Sequence, residues 1–152
     1  MAFPRFFRNA NEELIEYDGS PISWRVSVYA LVIKNDQLLI IKDKTEKLHD
    51  IPGGGVELTE NLEEALKREA LEEAGAHITM GALVHLAEGY FYHSKEKKFF
   101  KTLQLFYEAE LAGELEKPHH QTSEWVKFVP LREVNKYPLP AAVKDALKKI
   151  QS

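Results

Sequence analysis

Residues 54–76 read GGVELTENLEEALKREALEEAGA, and this stretch decides what kind of chain surrounds it. A glycine-rich turn runs into a segment with helical spacing that ends in a cluster of carboxylates. Gly54 is followed by Glu60, then by Arg68 and Glu69, then by Glu72, Glu73 and Gly75. The spacing predicts a helix over Leu62–Ala74. Asn61 is its N-cap, and Glu64, three residues on, completes a capping box. Gly75 is placed to take the left-handed conformation that ends helices. Glu69 lies three residues before Glu72 and four before Glu73, so the three acids converge on one face. They occupy the last two turns, where the helix dipole disfavours negative charge. A helix selected for stability alone would carry lysines there. One reading is a solvated acidic face relieved by Arg68 through Glu64 and Glu72; the other is a cation site, in which a divalent metal offsets the clustered charge. Hard carboxylate oxygens suit Mg²⁺, and Mn²⁺ as well. The chain has no cysteine and its six histidines are scattered, which disfavours zinc.

The spacing of these residues resembles the Nudix box, G-x5-E-x7-R-E-U-x-E-E-x-G-U with U apolar. Every G, E and R of it is present, and Ala70 and Ala76 fill the U positions. The resemblance implies an α/β fold, a Nudix-type α/β/α sandwich with a mixed β-sheet. It also implies a metal-dependent pyrophosphohydrolase acting on the phosphoanhydride of a nucleoside diphosphate linked to another group. By resemblance Glu72 and Glu73 are the primary metal ligands, joined by Glu69 and a backbone carbonyl near Gly54. Gly53 and Gly55 flank that carbonyl and allow close approach of substrate. Arg68 and Glu60 are matched box positions, read as an ion pair that fixes the loop to the helix. Glu57 fits the acid often found inside the loop. Glu69 is the first choice for the base; Glu116 and Glu124, on the segment leading to Trp125, are its rivals and candidate substrate contacts.

Most of the remaining sequence reads as strands. Leu14–Tyr17 is a short strand before an Asp18-Gly19 turn, and two β-rich runs flank Asn35-Asp36 as a hairpin. Ile78–Tyr92 and Phe99–Leu111 are long strands around a charged turn, Trp125–Val129 is another, and 113–123 is a polar loop. A second amphipathic helix covers Ala141–Ile150, with Val143, Leu147 and Ile150 on one stripe. Residues 1–23 form a lead-in and 24–152 a single domain, a size that supports a proper core.

At 44% apolar and 29% charged residues, composition is that of an ordinary globular protein. The net charge of −4 offers no electrostatic case for binding a nucleic acid polymer, and no apolar run is long enough to span a bilayer. No apolar stretch of signal-peptide type follows Met1–Arg5, so a cytoplasmic location is the expectation. The expected partner is a small phosphorylated nucleotide, with the chain a monomer or homodimer.

Within the resemblance, a (deoxy)nucleoside triphosphate cleaved to monophosphate and pyrophosphate is the leading substrate reading. A dinucleoside polyphosphate or nucleotide-sugar hydrolase and a non-catalytic nucleotide-binding module are the alternatives. Phe91 stands where the ADP-ribose subgroup expects proline, and Tyr92 falls where dinucleoside-polyphosphate enzymes place tyrosine. Tyr29, Phe91 and Phe106 are candidates to stack on a base, with core packing as the competing role.

Overall fold

The computed structural model describes residues 2–151; Met1 and Ser152, at the outer ends of the expected lead-in and domain, lie outside them. The chain runs β1 (Phe6–Arg8), β2 (Leu14–Glu16), β3 (Ile22–Lys34), β4 (Gln37–Asp43), β5 (Gly53–Gly55), α1 (Leu62–Ala74), β6 (Ile78–His93), β7 (Lys98–Leu111) and β8 (Ser123–Pro130). A 3-10 helix, Leu131–Lys136, leads to α2 (Ala141–Gln151). Strand order is β2-β1-β6-β7-β3-β4-β8, with β5 also paired to β3.

The turn at Asn35-Asp36 forms as expected, both residues at positive φ (52° and 58°), the conformation of tight hairpin turns. The hairpin does not persist. Only Ile33–Leu38 and Lys34–Gln37 pair before the strands part. β3 then runs parallel to β7 from Ile22–Phe99 to Val32–Ala109, while β4 pairs antiparallel with β8. The returning chain bridges this split. Asp50 pairs with Ile41 of β4, the Ala30 N–H donates to the Pro52 carbonyl at 2.8 Å, and Gly53–Gly55 pair with Tyr29–Ser27 of β3.

Alternation along the strands assigns each side chain to one of two cores. Val28, Ala30 and Val32 of β3, with Leu39 and Ile41 of β4, pack beneath α1. Leu31, Leu38 and Ile40 point the other way, against Val143, Ala146 and Leu147 of α2. Helices therefore cover both faces of a mixed sheet, the α/β/α sandwich expected. The residues α1 buries are Ala65, Leu66, Ala70 and Ala74. Three alanines leave mostly methyl groups between helix and sheet; the apolar box residue Ala70 is one of them, and Ala76 is buried in the same core.

The lead-in is more structured than a single short strand. β1 and β2 form a hairpin, and β1 joins β6 in parallel through Arg8–Phe91. Phe7 is fully buried, in ring contact with Tyr17, Tyr90 and Phe99. No helix among the described residues is long and apolar enough to cross a membrane.

Candidate active site

α1 holds the acidic cluster, and both its ends are fixed. The Asn61 side chain accepts the Glu64 N–H at 2.8 Å while Glu64 accepts the Asn61 N–H at 3.1 Å. At the other end Gly75 is left-handed (φ 63°). The loop after β7 then closes over the helix C-terminus: the N–H groups of His119 and His120 both donate to the Glu72 carbonyl at 2.9 Å, and the Glu116 N–H donates to the Gly75 carbonyl at 2.7 Å. Backbone groups thus satisfy the terminal carbonyls, which leaves the side chains of the last turn free for other work. That turn carries no basic residue.

Arg68 organises the acids. Its guanidinium grips Glu60 through Nε at 2.6 Å and Nη2 at 2.8 Å, the paired geometry that makes such contacts strong. It also donates to the Gly55 carbonyl at 3.1 Å, to Glu69 at 2.9 Å and to Glu72 at 3.4 Å. The expected Glu60–Arg68 pair is therefore present and ties the loop to the helix. Glu64 takes no part, because it is committed to the cap. The guanidinium holds the Glu60 carboxyl down at about 2, and Glu60 in turn holds Arg68 above its ordinary value.

Glu69 and Glu73 face the opposite situation. Burial is the largest influence on each and raises both above the ordinary carboxylate value, Glu73 well above it. The negative charge of Glu69 adds to the rise at Glu73, against one opposing contact: the Gly53 N–H donates to Glu73 Oε1 at 2.8 Å. At Glu69 the contact with Arg68 opposes the rise and the charge of Glu72 adds to it.

Gly53–Gly55, expected as a turn, is instead a strand against β3. Glycine is required because the chain runs between two surfaces. A Cβ on Gly53 would stand 2.4 Å from the Val28 carbonyl oxygen, and one on Gly54 2.7 Å from Glu69 Oε1. The three glycines, Glu69 and Glu73 line a cavity of about 290 Å³.

The same cavity contains residues the sequence pattern did not single out: Arg25, Asp50, His93 and Lys95. Arg25 lies over the rings of Phe91 and Phe100, at 6.0 and 5.8 Å, beside Gly55. Its neighbours come from β3, β5, β6 and β7, so no local signal could identify it. Asp50 is held at about 7, chiefly by burial, with the Ile51 N–H opposing and the charges of Glu46 and Glu12 reinforcing. An acid directly before the Ile-Pro-Gly-Gly run was the one visible cue.

Other expected residues lie elsewhere. Glu116, read as a substrate contact or rival base, pairs with His77 at 2.9 Å, because its loop is spent on capping α1. Glu124 lines an adjoining depression with Pro118 and Trp125, one that shares only His120 with the carboxylate cavity. Glu57 is exposed, and its role is local: its N–H donates to Glu60 at 3.0 Å. Glu72 turns toward Arg68 rather than into the cavity. Phe106 is core, stacked on Tyr29 at 5.1 Å, whereas Phe91 lines the cavity.

Among the described residues no three acids or histidines are gathered at ligand spacing. The donor chemistry nevertheless fits a hard divalent cation. Glu69 and Glu73 are buried side by side, with Arg68 and the Gly53 N–H opposing the rise, and a glycine strand without side chains lies against them.

Comparison with known proteins follows the same lines. The sequence model of the NUDIX domain matches residues 23–150. A Bacillus subtilis protein named as a candidate 8-oxo-dGTP diphosphatase is 33% identical over 70 residues, 46% of this chain and 47% of that protein, so the match spans about half the length of the curated relative. Among solved structures, a MutT NUDIX hydrolase from Burkholderia pseudomallei superposes with a TM-score of 0.69 at 23% identity, over 84% of this chain and 98% of that one. A NUDIX hydrolase from Nitrosomonas europaea gives 0.69 at 15% identity, over 84% and 88%.

Proposed function

The chain belongs to the Nudix family, and from that membership we propose that it is a metal-dependent pyrophosphohydrolase that cleaves a (deoxy)nucleoside triphosphate to the monophosphate and pyrophosphate. The observation that carries the reading is one cavity, edged by a glycine strand, that two buried acids, Glu69 and Glu73, and a cation, Arg25, all line. A triphosphate needs positive charge at its oxygens and an acceptor for the proton of the attacking water. Arg25 and Lys95 supply the first. Glu69 supplies the second: burial raises its carboxyl above the ordinary value, and Arg68 fixes its orientation.

Glu69, Glu73 and the Gly54 carbonyl are the groups that would hold Mg²⁺ or Mn²⁺, with Glu72 joining once it leaves Arg68. When bound, such an ion neutralises phosphate charge and acidifies coordinated water. Water adds to one phosphorus, the bridging P–O bond breaks, pyrophosphate leaves and Glu69 takes the proton. The name of the Bacillus subtilis relative, which denotes cleavage of a deoxynucleoside triphosphate, supports this substrate class.

The test is a panel of nucleoside triphosphates, dinucleoside polyphosphates and nucleotide sugars, incubated with protein and Mg²⁺ or Mn²⁺ in ¹⁸O-water. Nucleoside monophosphate and pyrophosphate are the expected products. Nucleoside diphosphate with orthophosphate would overturn the reaction, and binding without turnover would make the protein a nucleotide-binding module.

A further inference from the structure

A second cavity, of about 520 Å³, lies between the N-terminal hairpin and the sheet. Ala10, Tyr29, Asp50 and Phe91 line both it and the carboxylate cavity, so the two adjoin. One wall comes from Phe6, Arg8, Asn9 and Glu12, all outside the stretch matched by the family model.

That wall is fastened to the body of the protein. The Lys47 N–H donates to Asn11 Oδ1 at 2.7 Å, Lys47 Nζ meets Glu13 at 3.0 Å, and Glu12 Oε1 accepts the Ala141 N–H at the start of α2 at 2.7 Å. Glu12 holds a left-handed φ of 60°, unfavourable for glutamate, so the contacts impose a specific turn. A hairpin tied at three points is a built wall.

Asp50 is the unexplained group within it. Its carboxyl accepts one hydrogen bond, from the Ile51 N–H at 2.8 Å, and has no cation partner among the described residues. The charges of Glu46 and Glu12 raise it, and its own charge in turn raises Glu73, while Arg25 and Lys95 line the carboxylate cavity that it shares. In such company a buried carboxylate costs stability when ionised unless a ligand donates to it. Gln104 and Tyr29, which hydrogen-bond each other, line the same cavity, and Tyr90 and Phe91 give it flat apolar walls.

We propose that this second cavity reads the base of the substrate, with Asp50 accepting two adjacent N–H groups from the edge of a 2-amino-6-oxopurine and the Gln104 amide donating to the 6-oxo oxygen. The proposal rests on the nucleotide reading given above. Ionised, as Asp50 is above about pH 7, a carboxylate only accepts. Of the common bases, only this purine presents two neighbouring donors on its pairing edge; adenine and cytosine alternate donor with acceptor, and thymine offers a single N–H. The cavity has the size of a small-molecule site. Its junction with the first places the triphosphate beside Gly53–Gly55 while the base sits under the hairpin.

The experiment compares dGTP, dITP and dATP as substrates of the wild type, Asp50→Asn and Gln104→Leu, with Mg²⁺. dITP lacks only the 2-amino group. The wild type should favour dGTP over dITP by about 10–100-fold in kcat/KM, the worth of a hydrogen bond to a charged group. Asp50→Asn should erase that preference while melting no lower than wild type, since it removes a buried charge. Gln104→Leu should narrow the gap between dGTP and dATP. Equal use of the three substrates by wild type, or a preference that survives Asp50→Asn, overturns the base site and leaves the hydrolysis reading intact. Metal-free calorimetry with dGMP separates the opposite case. If no triphosphate is cleaved but dGMP binds, and Asp50→Asn weakens it at least about tenfold, the reaction fails and the base site stands.

Discussion

The N–H of Gly53 donates to the carboxyl of Glu73 across 2.8 Å, joining the glycine strand to the last turn of α1. This single contact sets the spacing of the candidate site. It brings two acids of one helix against a strand that leads back to the sheet, and among the described residues it is the one backbone donor opposing the burial of Glu73.

Replacing Glu73 separates chemistry from folding. Glu73→Gln keeps the shape and removes a charge that the fold itself does not favour. Turnover should fall to near zero, while thermal stability without metal should hold or rise. Activity unchanged at saturating Mg²⁺ would show that Glu73 is not a ligand.

Steady-state and single-turnover rates rank the possible bases. Glu69→Gln should lower kcat by about 10²–10⁴-fold with little change in KM. Glu116→Gln and Glu124→Gln should each cost less than about tenfold, because Glu116 pairs with His77 and Glu124 lies outside the carboxylate cavity. A collapse in either loop variant beside a nearly active Glu69→Gln would reassign the base.

Two glycine substitutions should differ in kind. A Cβ at Gly54 meets the far end of the Glu69 side chain, not backbone, at 2.7 Å, so Gly54→Ala should cut activity with a small change in melting temperature. A Cβ at Gly75 meets the Glu116 carbonyl oxygen at 1.9 Å, and the residue is left-handed as well. Gly75→Ala should therefore destabilise by more than about 1 kcal/mol. Equal melting temperatures for the two variants would refute this contrast.

The pH dependence of stability should have two parts of opposite sign. Glu60 is held at about 2, below its ordinary 4.5. The unfolded chain binds this proton first as pH falls, so the stabilisation is present above about pH 4.5 and lost toward pH 2; Glu60→Gln should flatten that acid limb. Asp50 is raised from 3.8 to about 7. Here the folded state keeps the proton longer, so the metal-free protein should lose stability as pH rises from about 4 to 7. Asp50→Asn should remove part of that loss. Denaturant titrations from pH 2 to 8 check both slopes.

What local chemistry sets was legible in the chain alone. Asn61, Glu64 and Gly75 mark the ends of α1, because caps involve groups within one turn of each other. The Asn35-Asp36 turn, the two long strands and α2 follow from residue type and period for the same reason. The Glu60–Arg68 pair was also within reach, since both belong to one fixed spacing. Tertiary structure decided the rest. The early parting of β3 from β4 turned Gly53–Gly55 into a strand, a pairing between residues some 26 positions apart. The same split drew Arg25, Asp50 and Lys95 to the acids of α1. Capping of that helix by the 113–123 loop fixed Glu116 on His77, away from the cavity. Residues contributed by separate strands and loops meet only after the sheet has chosen its order, and no periodicity or cap in any one segment encodes that choice.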